Sequence, residues 1–167
     1  IQHRRTASGD SAVVVQSLES SDVLVKLAKC CTPVPPDKIV GFVTRGNGLS
    51  VHRADCSNVA SLRREPERFI DVAWSDSADA VYLVQVQVEA LDRQGLLHDI
   101  SRVLNENGVN LLKATKSTSN DRVAKSHFVF EMADPRHLQN VLRVMRKIEG
   151  VYDAYRVTGS KKTDNRR

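Results

Sequence analysis

Two groups of residues in this chain have types and spacings that could do chemistry, and the first is a set of sulfur and nitrogen donors: Cys30, Cys31, His52 and Cys56. Zinc is held tetrahedrally by such donors, and the interval between His52 and Cys56 lets both side chains reach one ion. Neighbouring strand residues point to opposite faces, so Cys30 and Cys31 both ligate only if the backbone bends there. Asp55 is an alternative ligand. The spacing also fits cysteines that are simply small buried apolar residues.

The second group is the turn Asp92-Arg93-Gln94-Gly95-Leu96-Leu97. Before it, residues 82–89 alternate between apolar and polar, which predicts a half-buried strand. After it, apolar residues recur at helical spacing up to Gly108, a predicted helix end. The turn therefore presents backbone N–H groups at the start of a helix, which favours an anion such as a carboxylate. Gly95 lets a ligand approach the backbone closely. An ordinary strand-to-helix connection is the alternative.

Composition narrows the class of protein. Charged residues make up 27% and hydrophobic residues 41%, with no apolar run near the roughly 20 residues of a membrane span. We therefore expect a soluble, cytoplasmic protein with no membrane partner. No secretory signal is visible, so three cysteines favour metal binding over disulfides. The net charge of +5 suggests an RNA-binding module, but aromatic residues are only 5% and no basic stripe carries stacking residues.

The elements that must position the cysteines and the histidine are short. We assign residues 1–11 to a linker and residues 12–75 to a small first domain. Its patterns predict strands over 12–15, 23–27, 39–44 and 49–52, one further strand over 69–74, a proline-rich loop over 32–38, and a short helix starting near Asp55 or Ser57. A core this small often needs a disulfide or a bound metal ion for stability, and zinc would supply this.

Residues 76–80 are small and polar and predict a linker before a second domain over residues 81–158. Strands over 82–89, 110–118, 123–132 and 151–158 alternate with two helices. The second helix has Asp134-Pro135 as N-cap and first helical position, then an apolar face of Leu138, Val141, Leu142, Met145 and Ile148. The order strand, helix, strand, strand, helix, strand predicts a ferredoxin-like βαββαβ sheet. The fold class is therefore α+β, with sheet edges that favour a homodimer. Residues 159–167 predict a basic disordered tail.

These motifs resemble two known modules. The second domain resembles an ACT domain through Asp92-Arg93-Gln94-Gly95-Leu96-Leu97 and Gly108-Val109-Asn110. The first resembles the zinc-finger or ribosome-intersubunit domain of the RelA/SpoT-homologue family through residues 27–35, 40–46 and 51–56. In tandem they are similar to the C-terminal regulatory end of long (p)ppGpp synthetase/hydrolase enzymes. Pro35-Pro36-Asp37 departs from that family, which usually has Pro-Gly-Asp.

The resemblance implies a non-catalytic fragment of a GTP pyrophosphokinase and (p)ppGpp hydrolase of the stringent response, with catalytic domains upstream. It implies that the first domain contacts the ribosome and tRNA, and that the ACT domain binds a branched-chain amino acid such as valine. The effector would lie at Asp92, Gly95, Leu96 and Leu97, with Ile100 facing its side chain, the Asn110 region near its ammonium, and His127 closing the site. A solvent-facing strand histidine is the alternative for His127. The competing hypothesis is an ACT-type regulatory domain of an amino-acid biosynthetic enzyme.

Overall fold

The computed structural model of the protein describes residues 12–15, 24–46, 48–75 and 80–158. They form two compact units: residues 84–157 make up the second, and the other described residues, Thr158 included, belong to the first. Both units mix helices with strands, which confirms the predicted α+β class. The predicted linker over 1–11 and the predicted tail over 159–167 lie outside the described residues, and so does the predicted linker over 76–80 apart from Ala80. No helix in the described ranges is long and apolar enough to cross a membrane.

The first unit contains a four-stranded sheet and a two-stranded ribbon. Its strands are β1 (Val13–Val15), β2 (Leu24–Leu27), β3 (Ile39–Val43), β4 (Gly48–Arg53), β5 (Phe69–Ile70) and β6 (Val72–Trp74), and its helix is α1 (Ser57–Leu62). The sheet has the order β2-β4-β3-β5, and β1 pairs with β6. β2 runs parallel to β4, whereas β3 is antiparallel to both of its neighbours.

The predicted single strand over 69–74 is wrong. The chain breaks at Asp71 because its two halves have different partners: β5 pairs with β3 and β6 pairs with β1. Gly41 of β3 lies where these segments approach most closely. A Cβ at Gly41 would lie 2.9 Å from Val72 Cγ1 and 3.0 Å from the Ile70 carbonyl oxygen, which is why the strand has a glycine there.

The second unit has the predicted ferredoxin-like order. Its elements are β7 (Tyr82–Leu91), α2 (Leu96–Glu106), β8 (Asn110–Thr118), β9 (Val123–Met132), α3 (Leu138–Arg146) and β10 (Val151–Arg156), and the sheet order is β10-β7-β9-β8. Alternate residues of β7 and β9 are buried, as the period-2 pattern predicts. The apolar faces of α2 and α3 supply the rest of the core, through Leu96, Ile100, Leu104, Leu138, Val141, Leu142 and Met145.

Helix ends in this unit show both a confirmed prediction and a correction. Gly108 follows α2 with φ of +73°, and Val109 N–H donates to the Leu104 carbonyl at 3.0 Å, which is the Schellman arrangement. The second helix, however, begins at Leu138 rather than at Pro135. Pro135–His137 forms a 3-10 turn that leads directly into the helix, and Asp134 caps this turn, since its carboxylate accepts the Arg136 N–H at 3.0 Å.

Candidate metal centre and ligand-binding turn

Cys30, Cys31, His52 and Cys56 converge on one point of the first unit. Their ligand atoms all lie within 4.8 Å of one another. Three of the four residues are buried, with His52 8% exposed, Cys56 4% and Cys31 0%. The structure therefore brings together the complete predicted set of sulfur and nitrogen donors.

A backbone bend after β2 resolves the difficulty posed by two adjacent cysteines. Strand β2 ends at Leu27, and Thr32 N–H donates to the Ala28 carbonyl at 3.0 Å, which closes a turn around the cysteine pair. Thr32 then has a φ of +42°. The two Sγ atoms consequently lie 4.0 Å apart on the same side of the chain. β4 supplies His52, and Cys56 immediately precedes α1.

The distances between the donors fit a tetrahedral ion. Zinc with Zn–S of about 2.3 Å and Zn–N of about 2.0 Å separates two sulfurs by about 3.8 Å and a sulfur from a nitrogen by about 3.5 Å. Cys30 Sγ lies 3.6 Å from Cys56 Sγ and 3.4 Å from His52 Nδ1, and Cys31 Sγ lies 3.9 Å from that nitrogen. The donor set and its spacing therefore fit zinc, with His52 contributing Nδ1.

Burial affects the ionisation of the cluster in the absence of metal. It raises the pKa of the Cys31 thiol well above its ordinary range, against a smaller lowering by the Arg53 N–H. It also raises the pKa of Cys30, against a lowering by a hydrogen bond from the Asn58 side chain, and it lowers the pKa of His52. Burial therefore favours the neutral forms of Cys30, Cys31 and His52, and a cation that binds thiolates would displace the protons of the two thiols.

Polar groups also contact two of the four candidate donors, Cys31 and His52. Arg53 N–H donates to Cys31 Sγ at 3.2 Å, and Ser50 Oγ lies 3.1 Å from His52 Nε2. Asp55, the alternative ligand, is instead exposed and pairs with the Arg53 guanidinium at 3.1 Å. The fourth donor is therefore a cysteine rather than this carboxylate.

The predicted ligand-binding turn of the second unit joins β7 to α2. Gly95 has a φ of +81°, a left-handed conformation that favours glycine, and α2 begins at the next residue. Arg93 holds the turn in place. Its Nε donates to the Glu149 carbonyl at 3.0 Å, and its NH2 donates to Asp99 Oδ2 at 2.7 Å. These contacts fix the turn, and the first N–H groups of α2 lie directly after it.

The Asp92 carboxylate already has a cationic partner. Lys116 Nζ of β8 lies 2.8 Å from Asp92 Oδ1, with the two side chains 28% and 34% exposed. Lys116 is directly opposite the buried Ser126 of β9, so this ion pair lies on the helix-covered face of the sheet. A cation that binds Asp92 through Oδ1 must displace the lysine.

The structure places the other predicted effector residues away from this surface. Leu96 is 1% exposed and Ile100 0% exposed, because both side chains pack in the core, whereas Leu97 is 36% exposed. His127 follows Ser126 and points to the opposite face, where its Nε2 lies 3.0 Å from Gln85 Oε1. Asn110 donates to Glu131 and lies six residues before Lys116, about 20 Å away along the strand. Asn110 and His127 are therefore not brought to the turn.

Sequence reasoning did not assign roles to Arg93, Lys116, Ser50 or Asn58. Ser50 could have been found, because it lies two residues before His52 and shares its face of a strand. Asn58 is similarly two residues after Cys56, at the start of a predicted helix. Lys116 pairs with Asp92, which follows another strand. Arg93 donates to the distant Glu149 carbonyl as well as to the nearby Asp99, so no local pattern identifies these two roles in full.

Comparisons with known proteins agree on the family. The family model of the RelA/SpoT RIS domain matches residues 13–75, and that of the ACT domain matches residues 78–156. The chain is 58% identical over 159 residues to a GTP pyrophosphokinase of Streptomyces coelicolor, covering 95% of this chain and 18% of the relative. It is 56% identical over 157 residues to a bifunctional (p)ppGpp synthase/hydrolase RelA of Mycobacterium tuberculosis, covering 94% and 21%.

The ACT domain of a GTP pyrophosphokinase from Chlorobium tepidum aligns in structure with a TM-score of 0.42 and 17% identity, covering 47% of this chain and all of that one. The chain spans about a fifth of the length of the curated relatives it matches. The RIS match across the first unit argues against the alternative of an amino-acid biosynthetic enzyme. With both units matched in order, the chain belongs to the RelA/SpoT family and carries its RIS domain followed by its ACT domain.

Proposed function

We propose that this chain is a non-catalytic regulatory segment of a stringent-response enzyme that synthesises and hydrolyses (p)ppGpp through catalytic domains outside this sequence. Its ACT domain binds a branched-chain amino acid such as valine. Its RIS domain contains a structural zinc ion and contacts the ribosome and tRNA. The observation that carries the amino-acid part is the turn at Asp92, where a carboxylate and the start of α2 occur together.

The charges of the turn match those of a free amino acid. The N–H groups at the start of α2 and the helix dipole favour the α-carboxylate. The Asp92 carboxylate takes the α-ammonium after Lys116 moves away. Leu97, exposed beside Gly95, contacts the apolar side chain of the ligand.

Thermal unfolding in the presence of millimolar amino acids tests this proposal. A ligand at about 100 times its dissociation constant stabilises by roughly 2.7 kcal/mol, which moves the midpoint of a domain of this size by several degrees. We expect a shift with valine, leucine or isoleucine. Asp92→Asn is expected to abolish it, because the variant keeps the shape of the side chain but removes the charge. The absence of any shift in the wild-type chain would refute the amino-acid part.

The RIS part of the proposal is tested separately. Arg45, Arg63 and Arg64 of the first unit are exposed and available to nucleic-acid phosphates. We expect the chain to co-sediment with ribosomes, with an affinity that falls steeply as salt rises. Cys56→Ser is expected to weaken this binding because it disrupts the zinc site. Synthesis of (p)ppGpp by this chain alone would contradict the assignment as non-catalytic.

We also propose a homodimer through the ACT sheet. Strand β8 is at one end of the sheet order, and all of its residues except Leu111 are exposed. An edge of this length is a template for pairing with a second copy. Light scattering of the purified chain is expected to give twice the mass of the monomer, and a monomer at all concentrations would exclude this interface.

A further inference from the structure

The geometry points to Ser50 as the positioning residue that makes His52 bind the metal through Nδ1. This inference rests on the zinc centre proposed above. It concerns a residue that is not itself a donor and that lies in the same strand as the histidine.

The two ring nitrogens of His52 face different surroundings. Nδ1 lies 3.4 Å from Cys30 Sγ and 3.9 Å from Cys31 Sγ, in the centre of the cluster. Nε2 lies 3.1 Å from Ser50 Oγ, outside it. The metal would therefore bind Nδ1, and the ring proton would reside on Nε2 and be donated to the Ser50 hydroxyl.

Strand geometry fixes this arrangement. Ser50 and His52 are two residues apart in β4, so their side chains project from the same face. β3 lies alongside, with Phe42 opposite Ser50 and Val40 opposite His52. Val40 and Phe42 provide no side-chain hydrogen-bonding group, so neither can replace the hydroxyl as acceptor. A metal-bound imidazole usually has such a partner, and losing it typically lowers metal affinity 10- to 100-fold.

Two of the other donors are also held by hydrogen bonds from neighbouring residues. The Arg53 N–H donates to Cys31 Sγ at 3.2 Å. The Asn58 side chain hydrogen-bonds Cys30. Three of the four donors therefore have a polar neighbour that holds them. Among these neighbours, Ser50 is the one that determines which atom of its donor faces the metal.

The test measures zinc affinity by competition with a chromophoric chelator. Ser50→Ala is expected to lower the affinity of the full chain about 10- to 100-fold. Ser50→Thr keeps a hydroxyl at this strand position, and its zinc affinity is expected to stay close to that of wild type. Ser61→Ala, a matched change at an exposed position of α1, is expected to have no effect. Wild-type affinity in Ser50→Ala would overturn the inference.

Nitrogen-15 NMR of the zinc-loaded wild-type chain provides a second readout that does not depend on whether a variant folds. We expect zinc on Nδ1 and a proton on Nε2. Zinc on Nε2 would overturn the role of Ser50 while leaving the metal centre intact. A wild-type chain that binds no zinc would instead overturn the metal centre itself, so the two failures are distinguishable.

Discussion

At the scale of single residues, Gly41 is a position where the first unit tolerates no side chain. A Cβ there would meet Val72 Cγ1 at 2.9 Å and the Ile70 carbonyl oxygen at 3.0 Å. The oxygen belongs to backbone paired with β3, so it cannot move without breaking that pairing. Gly41→Ala is expected to lower the free energy of unfolding of this unit by about 1–3 kcal/mol, the usual cost of overpacking.

Urea unfolding followed by Trp74 fluorescence measures this effect, because the chain has one tryptophan and it lies in β6. Gly46→Ala is the control, since a Cβ at Gly46 would have no neighbour within 4 Å. Equal destabilisation by the two variants would contradict the steric explanation.

His127 is expected to make the second unit sensitive to mild acid. Burial lowers its pKa, and the positive charge of Lys113 lowers it further. Protons therefore bind the unfolded chain more readily than the folded one. The stabilising contribution of neutral His127 is complete above its ordinary pKa of about 6.5 and is lost as the pH falls towards its lowered value.

Melting temperatures measured between about pH 7.5 and pH 5 test this expectation, a window that brackets the ordinary pKa of histidine. His127→Gln is expected to reduce the fall on acidification, because glutamine does not titrate. Lys113→Gln is expected to reduce it partly, since removing the cation lets the pKa of His127 rise. If the melting temperatures of both variants fall as steeply on acidification as that of wild type, another group is responsible.

At the scale of elements, sequence patterns predicted the features that depend on residues close together in the chain. Alternating residues identified β7 and β9, and the glycine after α2 identified its end, because these features depend on neighbours in sequence. The donor set of the metal centre was predictable from residue types. The division between β5 and β6 was not, because it depends on strand partners far away in the chain. To place His127 correctly, one would have needed to know on which face of the sheet the turn lies.

The pairing of Lys116 with Asp92 gives β8 a role in ligand affinity. A free amino acid whose ammonium binds at Oδ1 of Asp92 must first break this ion pair. Partly exposed pairs are worth up to about 1 kcal/mol, which corresponds to about a fivefold change in affinity. Lys116→Met is therefore expected to tighten valine binding by up to about fivefold, as measured by calorimetry.

Lys113→Met is the matched control for this prediction. Lys113 is opposite Val129, on the face of the sheet that carries His127, whereas Lys116 is on the opposite face. Replacement of Lys113 is expected to leave valine affinity unchanged. Weaker binding in Lys116→Met would mean that the lysine holds the ligand carboxylate rather than competing for Asp92.

At the scale of the whole molecule, the two units differ in what stabilises them. The second unit has two amphipathic helices packed against a sheet in which the inward side chains of β7 and β9 are buried. In the first unit, Phe42, Leu49 and Val51 of the sheet are also buried, but the cluster around Val59 of α1 contains Cys31 and Cys56, two of the candidate metal donors. A metal ion there would add to the stability that apolar burial supplies.

Chelation of zinc is therefore expected to act on one unit only. At neutral pH, a strong chelator should unfold the first unit, seen as a change in Trp74 fluorescence, and leave the amide NMR signals of β7 and β9 in place. Cys56→Ser should reproduce this state and show no further response to chelator, because a thiolate is required to complete the site. Loss of both sets of signals in one cooperative step would show instead that the ACT domain depends on the metal as well.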